Sequence, residues 1–173
     1  MSQERADTLV DQWLMNDFDK STRSQVCKWL EAENFVEIEK RLASKNLVFG
    51  TAGLRAAMGP GFDRMNCLTV LLTTQGLVKY IEEHEDLVEK KAVVVGFDGR
   101  YNSESFAHVV ASVFLSKGFK VHLIEKPAPT PFTPFLVPLV GAACGIQITA
   151  SHNPKMDNGY KLFWSNGAQI ISP

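Results

Sequence analysis

The run AVVVGF (Ala92 to Phe97) contains no polar side chain. A strand of that composition is a buried one, at home in a parallel-centred sheet with helices against it. The segments that follow keep to the same plan. Phe106, Val109, Val110, Val113 and Phe114 recur at i, i+3, i+4, i+7 and i+8, the spacing of one helical face. Ser103 is the expected cap of that helix and Gly118 its end. KVHLIE (Lys120 to Glu125) reads as the next strand. PAPTPFTPF then forms a loop that opens a short helix at Thr130-Pro131, and ACGIQI (Ala143 to Ile148) is another buried strand. Strand, helix, strand, helix, strand is the order of an α/β layer with a parallel centre. Hairpins expected at 47–59 and at 160–172, the second turning at Asn166-Gly167, make the sheet mixed. The expected fold is therefore α/β, a mixed and mostly parallel sheet sandwiched by helices, occupying residues 47–173.

Residues 1–46 read as a helical N-terminal extension. Ser21 or Thr22 is the expected cap of the segment carrying Val26, Trp29 and Leu30, and Asn34 of the one carrying Ile38 and Leu42. Between extension and sheet, Asn66 caps a helix expected to run to about His84, with Leu68, Leu71, Leu72, Leu77, Tyr80 and Ile81 on its buried side. The 173 residues carry a net charge of −1, so no broad basic field recruits nucleic acid or a membrane surface. Any phosphate site has to be built locally. The three cysteines show neither CxxC spacing nor a disulfide framework. The N-terminus lacks a signal-peptide core, and no apolar run approaches the roughly 18 residues of a membrane span. These features lead to the expectation of a soluble cytoplasmic protein.

The chemistry concentrates in TASHNPKMDNGYKLFW, Thr149 to Trp164. Ser151 stands just past the carboxyl end of a strand, where open α/β folds place their sites. A serine needs a base, a metal or unusual electrostatics to act as a nucleophile. The surrounding residues do not make a hydrolase elbow, because Thr149 and Asn153 stand where glycines would be required. His152 is badly placed to deprotonate its own neighbour. At this level Ser151 is either a capping serine in a turn or a reactive hydroxyl. GTAGLR (Gly50 to Arg55) is either a glycine-rich turn with a solvated arginine or an anion cradle completed by Arg55. In FDGR, Asp98 and Arg100 are either a salt-bridged turn or part of a site. Lys161 is either an edge gatekeeper or a side chain reaching back over the serine loop. His84, His108 and His122 lack metal-ligand spacing.

Taken together, FGTAGLRAAMGPG, VVGFDGR, PAPTPFTPF and TASHNPKMDNGYKLFWSNGAQIISP resemble the first domain of the α-D-phosphohexomutases. The similarity is greatest to the eukaryotic phosphoglucomutase/phosphopentomutase branch, which includes a glucose-1,6-bisphosphate synthase. The resemblance implies that Ser151 carries a phosphoryl group and that Mg2+ binds through a phosphate oxygen on it. It implies that Arg55 holds the phosphate and that Lys161 is a general acid/base. His152 would shape the pocket, with Thr51, Asn153, Asp98 and Arg100 in support. The implied partners are small-molecule sugar phosphates. Glucose 1-phosphate and glucose 6-phosphate, or ribose 1-phosphate and ribose 5-phosphate, would interconvert through a bisphosphate such as glucose 1,6-bisphosphate. A bisphosphate synthase and a non-catalytic binding module are the alternatives. The family's acidic DGDxDR-type Mg2+ loop, its sugar-reading loop and its C-terminal phosphate loop are absent from the sequence. The chain is accordingly expected to be incomplete at its C-terminus and inactive as a mutase on its own.

Overall fold

The structure, a computed structural model, describes residues 1–50, 53–84 and 89–170. Three helices come first: α1 (Gln3–Asn16), α2 (Lys20–Glu31) and α3 (Phe35–Leu42). They bury Ala6, Val10, Trp13, Val26, Ile38 and Leu42 against one another. Asp17 ties the group together, accepting from Trp13 Nε1 (2.9 Å) and from the Thr22 hydroxyl (2.7 Å). Asn34 caps α3 as expected, its side chain accepting from the Glu37 N–H. The cap of α2 is neither Ser21 nor Thr22. Asp19 takes that place by accepting from the Ser21 N–H, which leaves Thr22 free to bond Asp17. A carboxylate suits a helix N-terminus better than a hydroxyl because the orphan N–H groups there carry partial positive charge.

The α/β layer follows, with strands β1 (Leu54–Ala57), β2 (Ala92–Phe97), β3 (Lys120–Leu123), β4 (Cys144–Ile148) and β5 (Asp157–Trp164). Their order across the sheet is β1-β5-β4-β2-β3. Strands β4, β2 and β3 are parallel neighbours, and β5 runs antiparallel to both β4 and β1. The sheet is mixed, as expected, but for a different reason. Strand β1 does not fold back on its own neighbour; it pairs across the chain with β5, and among the described residues only a Gly50–Gly53 bridge remains of the first hairpin. The Asn166-Gly167 turn does reverse the chain, yet its ladder among the described residues is one bridge, Phe163 to Gln169. The last residues of that expected hairpin lie outside the described residues.

Three helices cover the sheet: α4 (Cys67–Glu82), α5 (Ser103–Ser116) and α6 (Phe132–Leu139). Helices α4 and α5 bury Val70, Leu77, Val78, Ile81, Phe106, Val110 and Phe114 against one face of the sheet. Asn66 caps α4 in a reciprocal capping box with Thr69. Leu68 of α4 turns instead into the α1–α3 cluster, so this helix joins the extension to the sheet. Leu72 and Tyr80, expected on the buried side, are exposed at 48% and 44%. They border an apolar groove rather than the core. Ser103 is not the cap of α5: Asn102 occupies that position at φ 60°, and Ser103 is the first helical residue, fully buried.

On the opposite face α6 lies very close to the sheet, because Gly96 and Gly145 present no side chains to it. A Cβ at Gly96 would stand 2.4 Å from both Gln147 Oε1 and Thr133 Oγ1. The close seating buries Gln147 against Thr133, whose hydroxyl donates to Gln147 Oε1. No helix among the described residues is long and apolar enough to cross a membrane. Substituting Gly96→Ala is expected to cost about 1–3 kcal/mol by overpacking. A lower urea midpoint with an unchanged slope would report it, and an unmoved midpoint would contradict the close seating of α6.

Candidate active site

Strands β2 and β4 end in register, with Phe97 beside Ile148, so the residue after each stands at the same sheet edge. Those residues are Asp98 and Thr149. The Thr149 hydroxyl donates to Asp98 Oδ2 at 2.6 Å. Its oxygen in turn accepts the Ser151 N–H at 3.1 Å. Asp98 Oδ1 accepts from the Arg100 N–H (3.0 Å) and the Ser103 hydroxyl (2.8 Å). Ser103 Oγ also receives Asn158 Nδ2 at 2.9 Å, which links the start of β5 to the N-terminus of α5.

Ser151 sits in the left-handed region at φ 53°, which side-chain-bearing residues seldom occupy. The Asn153 N–H donates to the Ala150 carbonyl (3.0 Å) and closes the turn. Ser151 and His152 are both exposed. The Ser151 hydroxyl has no hydrogen-bond partner among the described residues. The apolar burial that would have excluded a reactive hydroxyl is therefore not found.

Arg100 holds the loop. Its Nη1 donates to the carbonyls of Pro154 (2.8 Å) and Asp157 (3.1 Å). Its Nη2 donates to those of Ser151 (2.6 Å) and Asn153 (2.8 Å). Nε lies 3.4 Å from Asp98 Oδ2. A planar fork of donors suits this arrangement, whereas a lysine radiates three donors from one point. The guanidinium is committed to backbone and carboxylate and does not face an incoming anion unpaired.

Arg55 and Lys161 are the other two cations expected at the site from the sequence. Arg55 in β1 stands opposite Gly159 in β5, and Lys161 stands opposite Gln147 in β4. Positions 159 and 161 share one face of the strand, so Arg55 and Lys161 share it too. The Arg55 side chain passes directly over Gly159, where a Cβ would meet Arg55 Cγ at 3.1 Å and the Leu54 carbonyl at 2.5 Å. Nη1 of Arg55 reaches Asn153 Oδ1 at 3.4 Å, while its buried Nε has no hydrogen-bond partner. Asn153 is itself oriented by donating to Asp157 Oδ2 at 3.0 Å. Burial, and next the nearby Arg55 charge, hold the Lys161 ammonium below its ordinary value, with Asp98 opposing.

The structure thus brings Ser151, Asn153, Asp98 and Arg100 into one network, with Arg55 attached through Asn153. Lys161 is close enough to feel both Arg55 and Asp98. His152 has no hydrogen bond among the described residues, and Thr51 lies outside them. The sequence marks Ser103 only as a helix cap and Thr149 only as a departure from a hydrolase elbow, and neither as a site residue. A polar cleft of about 480 Å³, lined by Asp98, Gly99, Arg100, Tyr101, Asn153 and Lys155, opens beside the loop. The groove of about 530 Å³ bordered by Leu72, Tyr80, Trp164 and Ile170 is mainly apolar and carries no charged side chain among its lining residues. The buried thiols are poor nucleophile candidates, since burial pushes Cys67 up to about 12 and Cys144 higher still.

Comparison with known proteins accounts for this geometry. Residues 46–173 match the family model described as phosphoglucomutase/phosphomannomutase, alpha/beta/alpha domain I. Human phosphopentomutase is 46% identical over 98% of this chain, and human glucose 1,6-bisphosphate synthase is 43% identical over 96%. The chain spans 28% of the length of each. A crystal structure from Thermus thermophilus, described as that of a putative phosphomannomutase, superposes with a TM-score of 0.66 at 30% identity. That match covers 74% of this chain and 28% of the other. The chain belongs to the phosphoglucomutase/phosphomannomutase family and contains its first domain.

Replacing the fork by Arg100→Lys is expected to destabilise the protein by about 2–4 kcal/mol, because several charge-assisted hydrogen bonds are lost together. Tryptic cleavage after the exposed Lys155 should quicken, as limited proteolysis with mass mapping would show. Lys161→Met is expected to raise the unfolding midpoint near neutral pH by removing a half-buried charge beside Arg55. Wild-type stability should climb as pH rises toward 10.5, since the native lysine sheds its proton before the unfolded one does. The variant should lack that slope in denaturant melts at about pH 7 and about pH 10.

Proposed function

We propose that this chain is the phosphoserine-bearing domain of a phosphosugar mutase. The observation that carries the proposal is the position of Ser151. Its hydroxyl is exposed on a loop whose carbonyls at 151, 153, 154 and 157 are held by Arg100, and Asn153 of the same loop meets Arg55. A phosphoserine brings about −1.5 to −2 charges and three acceptor oxygens. The Arg55 guanidinium is the donor we assign to one of them, and Lys161 supplies a second cation on the same face. Asn153 orients Arg55 toward the loop. His152, exposed beside the serine, borders the same space, and the sequence places Thr51 just before the start of β1.

In the forward half-reaction the bond between phosphorus and Ser151 Oγ breaks, and Oγ leaves with the electron pair and takes up a proton from solvent. A hydroxyl of the sugar monophosphate forms the new bond to phosphorus and gives up its proton. Lys161 takes that proton in its neutral form, which burial and Arg55 make more accessible. The resulting sugar bisphosphate reorients and returns its other phosphoryl group to Ser151 by the reverse steps. Positioning and charge neutralisation dominate such in-line transfers. Arg100 and Asp98 serve by fixing the loop.

Mg2+ finds no ready protein cage here. Among the described residues no group of three or more His, Cys, Asp or Glu side chains comes together as a metal site, and both Asp98 oxygens are already hydrogen-bonded. This chain's contribution to such an ion would be a phosphate oxygen on Ser151. The partners we propose are small sugar phosphates, and free cysteines support the reducing cytoplasm as the compartment. Similarity to a bisphosphate synthase supports a second reading, in which the phosphoryl group comes from 1,3-bisphosphoglycerate.

Incubating the chain with glucose 1,6-bisphosphate in Mg2+ buffer should add the mass of one phosphoryl group, and Ser151→Ala should abolish the gain. No gain, or an equal gain in the variant, would overturn the reading. Running 1,3-bisphosphoglycerate in parallel separates the two donors.

A further inference from the structure

Ser151 N–H points at a side chain, not at another strand. The acceptor is Thr149 Oγ1, at 3.1 Å. A hydroxyl oxygen accepts from a chosen direction only if its own hydrogen is fixed elsewhere. Here that hydrogen goes to Asp98 Oδ2 at 2.6 Å. The carboxylate is immobilised in turn by the Arg100 N–H, the Arg100 guanidinium and the Ser103 hydroxyl. The chain of bonds runs from the end of β2 through Thr149 to the residue that departs from the usual backbone region. The left-handed region is disfavoured for a residue with a side chain, so φ 53° at Ser151 calls for such a restraint.

We propose that Thr149, its hydroxyl aligned by Asp98, is the positioning residue that fixes the Ser151 backbone and thereby aims its Oγ away from the sheet edge. Thr149 is 3% exposed and touches no substrate in this scheme; it acts only through the serine. Only its hydroxyl makes the two bonds, so the methyl group is dispensable and the oxygen is not. The inference rests on the phosphoserine reading for its purpose, though not for its geometry.

The test uses Thr149→Val, which keeps the shape and removes the oxygen, and Thr149→Ser, which keeps the oxygen. Amide hydrogen exchange at Ser151, followed by NMR, is the primary readout. Thr149→Val should speed exchange there by about tenfold, the equivalent of one net hydrogen bond. Amides of Val94 and Ile146 should keep wild-type rates, showing that the sheet is intact. Thr149→Ser should restore slow exchange at Ser151. Should the valine variant not fold, Thr149→Ala reads the same amide. Initial rates of phosphoryl uptake from glucose 1,6-bisphosphate should fall with valine and recover with serine. Wild-type exchange in the valine variant, or fast exchange in the serine variant, overturns the proposal. A wild-type chain that takes up no phosphoryl group would sink the function proposed above, while the exchange rates would still decide the role of Thr149.

Discussion

A loop that must offer a hydroxyl to solvent has no core beneath it, so its backbone has to be held by something else. Here the Arg100 guanidinium does this, gathering the carbonyls of Ser151, Asn153, Pro154 and Asp157 into one fork. Four carbonyls converging on one point would repel one another without a cation between them. The arginine is only 14% exposed, and Asp98 balances its charge. That balance places a carboxylate at the end of β2, which sets the Thr149 hydroxyl and, through it, the serine. The alignment of β2 with β4 is what makes the two strand ends available to each other.

The cations around the serine divide by whether their donors are already used. Arg100 is consumed by the loop. Arg55 retains a buried Nε without a partner, and Lys161 is held in surroundings that disfavour its charge. Both conditions cost the fold stability. Perturbed groups gathered beside a cleft mark a candidate functional site.

Much of the sheet was legible in the sequence because β2 and β4 are buried on both faces and are written without compromise. AVVVGF and GIQI announce themselves, and Phe106 to Phe114 spell one helical face. Less legible were contacts joining distant segments. Strand β1 pairs with β5, and no local turn signals that. The cap of α2 falls on Asp19 rather than Ser21 or Thr22 because the carboxylate is the stronger acceptor at a helix N-terminus. Leu72 and Tyr80 obey the helical period only loosely and fall at the margin of the buried stripe. In the site, Ser151, Arg55 and Lys161 stand out as residue types with known uses. Thr149 is not such a residue type, yet its position carries a signal. It follows one strand by a single residue, as Asp98 follows the neighbouring parallel strand, and residues so placed meet at the sheet edge.

The pairing of β1 with β5 also imposes an order in time. Arg55 and Asn153 meet although 98 positions separate them in the chain. The slot over Gly159 that receives the arginine does not exist until β5 has been laid beside β4. During synthesis the first strand therefore waits as an unpaired edge while the parallel centre assembles, and contacts between such remote segments close slowly. Completion of the sheet and seating of Arg55 over Gly159 are a single event, so Arg55 and Asn153 meet only when the tertiary structure is nearly finished.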